Sequence, residues 1–251
     1  MIAKPSLPIL DRSHPLTKGL VACYPFFERG GTTLHDISGR NNQGTLININ
    51  PATAWVRTPY GWGLDFDGVD DYINVPHHSS LEGATFSLSA YIKTSSTASK
   101  FIFFKMVNSP PYPGYAMCTN QASANQISMW VGGSAWTNAS FTWDNNWHYV
   151  VGIYDGTAVK IYIDGNLLIS QVQTHAQSTA PLRIGTADLP SYYLLGTIAS
   201  TCIWNRGLTN NQIIQLCADP WAMYRPRSAY TMGSMPTIPT LRTLSLMGVG
   251  R

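Results

Sequence analysis

A chain of 251 residues can bury a sizeable core, and an all-β sandwich of that length is commonly one domain. Charged residues make up only 12%, while Gly, Ser, Thr, Asn and Tyr are plentiful; this argues against charge-driven disorder and long amphipathic helices, and for short strands joined by turns. The net charge of +3 belongs to one end: no acidic residue follows Asp219, and without Arg225, Arg227, Arg242 and Arg251 the rest carries 12 basic against 13 acidic residues, so no nucleic-acid groove is expected in the body.

Residues 1–18 hold three prolines and no periodicity, and are expected as an extended N-terminal arm. Residues 19–27 open the sandwich with alternating Val21, Cys23 and Ala22, Tyr24, Phe26. Residues 36–44, DISGRNNQG, are dense in residues that tolerate left-handed backbone. Residues 64–66 and 72–75 read as strands hinged on Asp67-Gly68-Val69-Asp70-Asp71. A half-buried strand is expected over 86–92 and a stronger one over 101–106, followed by a Pro-Tyr-Gly loop over 109–114. Weaker strands are expected over 127–131 and 139–143.

The run WHYVVGIYDGTAVKIYIDG, residues 147–165, carries two alternating segments joined at Asp155-Gly156 and a second turn at Asp164-Gly165. Asp-Gly supplies the positive φ angles that tight hairpins need, so 161–164 should pair back onto 167–170, with Val159, Ile161 and Ile163 on one face. Strands over 182–185 and 197–204 complete the set. Thr209 with Gln212 three residues later is a capping-box signature for one short helix, which Asp219-Pro220 stops. The expected organisation is an arm over 1–18, a sandwich over 19–217 and a C-terminal extension over 218–251.

Cys23, Cys118, Cys202 and Cys217 are widely spaced and form no CxxC pair, so free, mostly buried thiols are expected ahead of disulfides. Residues 1–10 contain no apolar run of signal-peptide length, and no stretch reaches the ~20 apolar residues of a membrane span. A soluble chain without an export signal is expected.

The motifs GLVACYPF, DISGRNNQGTL, GLDFDGVDDYINV, FSLSAYIKTSS, WHYVVGIYDG…IYIDG and GTIASTCIWNRGLTNNQI stand in that order between Gly19 and Cys217. Together they resemble the laminin-G-like jelly rolls of the concanavalin A-like lectin and glucanase superfamily. The resemblance implies an all-β fold of two antiparallel sheets packed face to face, with a short C-terminal helix, binding glycans or proteins, often with calcium. Such domains usually carry an acidic pair in the last strand where this chain has Ala199 and Ser200, which weakens the implication of calcium. A solitary domain of this type followed by DPWAMYRPR also resembles proteins encoded by tailed bacteriophages.

Glucanases on this fold need two closely placed carboxylates. The chain has only Glu28 and Glu82, far apart and both near turns, so no enzyme is expected. No GxSxG elbow, Walker loop or dinucleotide fingerprint is present. His77-His78 are strand neighbours that point to opposite faces, and His148 is read as structural. Asp36, Asp67 and Asp70, with Asp71, are the candidate calcium ligands, though turn formation by these aspartates is the preferred reading. Candidate ligand platforms are Tyr112, Tyr115, Trp130, Trp136, Tyr192 and Tyr193, because exposed aromatic rings stack on sugars or anchor partners; Trp143 stands beside them, and Trp147 and Trp204 are assigned to the core. Tyr224, Arg225, Arg227 and Tyr230 are the candidate docking residues for a neighbouring subunit.

The resulting expectation is a non-enzymatic structural or decoration protein of a phage virion, made in the host cytoplasm and attached through its arms. Its partners would be other virion proteins or copies of itself, with surface glycans as a further class and no nucleic acid. The alternatives are a carbohydrate-binding module of cellular origin and, behind it, a glycosidase.

Overall fold

The computed structural model describes residues 8–133, 135–187, 189 and 191–224. In chain order its strands are β1 (Leu20–Tyr24), β2 (Thr33–Leu34), β3 (Gly44–Ile47), β4 (Trp55–Thr58), β5 (Gly61–Asp67), β6 (Tyr72–Val75), β7 (Phe86–Lys93) and β8 (Lys100–Met106). There follow β9 (Gly114–Thr119), β10 (Gln126–Trp130), β11 (Thr137–Ser140), β12 (Trp147–Tyr154), β13 (Ala158–Ile163), β14 (Asn166–Val172), β15 (Leu182–Ile184) and β16 (Leu195–Trp204). One helix, α1 (Asn210–Ala218), ends the described elements.

The strands form two antiparallel sheets. The first runs β14-β13-β12-β7-β16-β5-β4, with β1 added against β16, and the second runs β11-β10-β9-β8-β15-β6-β3-β2. Alternation along each strand sorts side chains into layers. Val150, Leu88, Ile161 and Ile198 from the first sheet meet Phe103, Met117, Ile127 and Ile184 from the second in the central core. The Asp-Gly hairpin pairs as its sequence predicts, Ile161 with Ile169 and Ile163 with Asn166, and Asp164 takes φ 51° at the turn.

Two further apolar layers lie outside the sheets. On the outer face of the first sheet, Tyr91, Tyr149, Val151, Cys202 and Trp204 pack against a cover of Leu10, Leu16, Ile213, Leu216, Trp221 and Tyr224. The cover is made by the N-terminal segment, α1 and residues 221–224. Residues 8–18 are therefore not an extended arm: Leu16 is wholly buried, the Trp204 indole donates to its carbonyl at 2.7 Å, and Leu10 bridges Tyr224. Thr209 and Gln212 form both bonds of the capping box, which fixes the angle at which α1 meets this face. Trp204 is buried here and not between the sheets, and Trp147 is only partly buried beside it.

The outer face of the second sheet carries a smaller layer of Phe101, Phe104, Met106, Ala116, Cys118, Trp130 and Ala187. No helix packs on it among the described residues.

All four cysteines are free thiols, three of them buried. No helix among the described residues is long and apolar enough to cross a membrane.

Candidate ligand-binding basin

A bulge creates the basin. Between Phe101 and Phe103 the pairing of β8 with β9 shifts register, so Ile102 and Phe103 both face the core. Phe101 and Phe104, three positions apart, consequently share the outer face, which strict alternation would forbid. On β9 the outward residues are the small Ala116 and Cys118, which pack within this layer. Trp130 ends β10 on the same face, and three loops supply the walls: Tyr112 from the β8–β9 loop, Trp136 from the β10–β11 loop and Tyr192 from the β15–β16 loop.

The enclosed space is about 310 Å³. Its rings hold one another mostly edge to face, the arrangement that aromatic quadrupoles prefer. Phe101 meets Tyr192 at 5.5 Å and Trp136 at 6.1 Å, Tyr112 meets Trp130 at 6.4 Å, and Trp130 and Trp136 are tilted at 5.6 Å. The Trp130 indole donates to the Tyr112 carbonyl at 2.9 Å, which ties the β8–β9 loop to the sheet. Tyr112 itself lies at φ 57°, with its N–H bonded to the Ser109 carbonyl at 2.7 Å. Among the described lining residues the polar groups are the amides of Asn108 and Gln121, the two tyrosine hydroxyls and the indole N–H groups of Trp130 and Trp136, with no acid or base of Asp, Glu, Lys, Arg or His type.

Four of the six predicted platforms thus converge: Tyr112, Trp130, Trp136 and Tyr192. The other two do not. Tyr115 alternates inward from β9, is wholly enclosed in the central core, and burial pushes its hydroxyl far above the usual tyrosine range. Tyr193 lies against Tyr72 instead, with ring centroids 6.4 Å apart. Trp143 is also a core residue, its indole bonded to the Gln126 carbonyl. Phe101, Phe104 and Met106 were not anticipated as lining, since the bulge that exposes them leaves no mark in the alternation of FIFFKM.

Of the docking candidates, Tyr224 is 5% exposed and packs within the chain's own outer layer, its hydroxyl 3.3 Å from the Cys23 sulfur, so it is not available to a neighbouring subunit. Arg225, Arg227 and Tyr230 lie outside the described residues.

The aspartates divide as their local geometry dictates. Both carboxylate oxygens of Asp36 are occupied: they accept from the N–H groups of Cys23, Ser38 and Asn42 and from the Ser38 hydroxyl, binding the 36–44 turn to β1. Asp67, Asp70 and Asp71 bring ligand atoms within 4.8 Å of one another. Yet Asp67 caps its own turn by accepting from Val69 N–H at 2.8 Å, and Asp71 accepts from Asp67 N–H at 3.1 Å. A calcium cage takes six to eight oxygens. These three carboxylates, two already bonded to backbone N–H groups, supply at most part of one; the residue paired with Asp67 is Leu195, and Ala199 lies four positions further along β16, wholly buried at a bulge.

Each glutamate is held by a histidine of its own loop. Glu28 accepts from His35 N–H at 2.8 Å, and Glu82 lies 3.2 Å from the His77 ring. His78 caps a short 3-10 turn, accepting from Ser80 N–H, so the neighbouring histidines have separate partners. His148 is clamped between Asp164 at 2.7 Å and Asp144 at 3.0 Å.

Two antiparallel sheets packed face to face, with an open aromatic basin on one outer face, make a lectin-like sandwich. A family model described as the concanavalin A-like lectin/glucanases superfamily matches residues 67–214, and the chain belongs to that family. A search of curated proteins finds no match. Among solved structures, the chain is similar to the binding domain of Paraclostridial Mosquitocidal Protein 1 (TM-score 0.66, 13% identity, covering 80% of this chain and 52% of that one). It is similar to domain 4 of AbnA, a GH43 extracellular arabinanase from Geobacillus stearothermophilus in complex with arabinotriose (0.62, 19%, 79% and 98%). It is also similar to the receptor-binding domain of botulinum neurotoxin C/D mosaic serotype (0.62, 17%, 80% and 51%). The chain spans about half the length of the two toxin domains, and at these identities the likeness establishes the fold alone.

Proposed function

We propose that this protein is a non-enzymatic display module of a phage virion, holding to the particle on one face and offering the aromatic basin to surface carbohydrate on the other. The observation that carries the reading is the separation of the two faces. Leu10 and Tyr224 are bridged on the outer face of the first sheet, with Asp11 N–H bonded to the Met223 carbonyl at 2.9 Å. The two ends of the described chain therefore meet on this face. The basin opens on the outer face of the second sheet, across the full thickness of the sandwich. A module attached at its termini would leave the basin pointing outward.

The virion assignment rests on the likeness of the domain, with the DPWAMYRPR that follows its helix, to phage-encoded proteins, and on the basic residues after Asp219. The binding assignment is supported by the neighbouring toxin binding domains and the sugar-bound arabinanase domain. A carbohydrate-binding module of cellular origin is the second reading, favoured by the match to 98% of that arabinanase domain. Removing residues 225–251, and so leaving Tyr224 in its layer, separates the two. The virion reading expects the shortened chain to fold with an unchanged melting temperature but to be missing from purified particles. Undiminished incorporation would refute attachment through that segment, and a full-length chain that never joins particles would favour the cellular module.

A further inference from the structure

We propose that the basin accepts a single uncharged sugar ring bearing a methyl group, as in an acetamido or 6-deoxy sugar, with the ring's apolar face on Trp136 and the methyl on the floor. This rests on the carbohydrate reading above and narrows it. A space of about 310 Å³ suits one ring with its substituent better than an extended chain. The floor offers Phe104, Met106 and Ala187, exposed by 4%, 7% and 6%, with no hydrogen-bonding side chain among them. A sugar hydroxyl pressed there would lose its water without a partner, whereas a methyl group gains by leaving water.

The walls limit the ligand further. The Trp130 indole N–H is already bonded to the Tyr112 carbonyl, so that ring can stack but not donate. Gln121 accepts from the Ser99 hydroxyl at 3.0 Å, which leaves its NH₂ as a donor to a sugar oxygen at the rim. No lysine, arginine or histidine is among the described lining residues, and the Lys100 ammonium, at the start of the same strand, donates to the Ser191 carbonyl at 3.1 Å. A sugar carboxylate would meet no cation among the described lining residues. An extended peptide is disfavoured for a different reason: β8, β9 and β10 are interior strands with neighbours on both sides, so no backbone edge is free to pair with it.

The test is calorimetric titration of the full-length chain with N-acetylglucosamine, rhamnose, glucose and N-acetylneuraminic acid as free sugars, so that glucose carries no methyl group. The last carries the same acetamido group together with a carboxylate. At least one methyl-bearing neutral sugar should bind at least about fourfold more tightly than glucose, the worth of one buried methyl group. The first two sugars distinguish the acetamido from the deoxy source. N-acetylneuraminic acid should bind at least about tenfold more weakly than N-acetylglucosamine. Trp136→Ala and, separately, Tyr192→Ala should each weaken binding by about tenfold or more, and Tyr193→Ala, outside the basin, should not. Equal affinity for glucose and both methyl-bearing sugars, or a preference for the anionic one, would overturn the inference and leave the carbohydrate reading standing. Absence of binding to every sugar on a broad glycan array would overturn both.

Discussion

Lys105 lies on β8 with 1% of its surface exposed, its ammonium bonded to the Ser178 carbonyl. Burial lowers its pKa to about 8. A lysine whose folded pKa falls below its unfolded value of 10.5 destabilises the fold below pH 8, and that penalty fades as pH rises toward 10.5. The protein should therefore gain stability relative to Lys105→Met between pH 8 and 10, by up to roughly 3 kcal/mol in urea unfolding. A difference independent of pH would contradict this. His148 has the opposite sign. Its hydrogen bond to Asp164, reinforced by Asp144, raises its pKa against the effect of burial. The clamp's contribution is fully present below the unfolded value of 6.5 and is lost as pH rises through the raised folded value. The excess melting temperature over His148→Gln should therefore be largest near pH 6 and shrink toward pH 8.5. A constant or growing excess would mean that the charge on the ring contributes nothing.

Strand β16 changes partner at its bulge: residues 195–198 pair with β5, and 201–204 pair with β1. Ala199 occupies the switch, wholly buried among the residues of the covered layer. An aspartate there, restoring one member of the family's acidic pair, would place a carboxylate in apolar surroundings. Ala199→Asp should lower stability by roughly 2 kcal/mol or more, measured by urea unfolding with and without calcium. A variant that is unharmed, or rescued by calcium, would contradict this. Most elements were legible in the sequence because their signals are local. The Asp-Gly turns, the Thr209–Gln212 cap and the strand over 72–75 emerge where the residues place them. The short strands β2, β3 and β4 were not legible: the first is two residues long, and 44–47 and 55–58 are flanked by Gly, Asn and Pro residues that read as turns. Strand β9 was hidden for another reason: Gly-Tyr-Ala-Met-Cys-Thr is buried on both faces, so nothing alternates. The basin was half legible. Tyr112, Trp130, Trp136 and Tyr192 read as loop aromatics, but their convergence depends on the bulge in β8 and on pairing between distant strands.

The whole molecule is layered, and the layers have different owners. Between the sheets lies the core; outside the first sheet the chain covers itself with its N-terminal segment, α1 and residues 221–224; outside the second sheet the aromatic layer has no helix over it among the described residues. The display reading depends on this asymmetry: it assigns attachment to the covered face and binding to the open one. The most direct test pairs two changes that touch opposite faces: Trp136→Ala in the basin, and removal of residues 225–251 beyond the cover. Both variants and the unaltered chain would be measured for glycan binding and for incorporation into particles. The account predicts that Trp136→Ala joins particles normally but binds sugar at least about tenfold more weakly, while the shortened chain binds sugar normally but does not join particles. A single change that abolished both properties, in a chain still folded by its melting curve, would contradict the division of labour between the two faces.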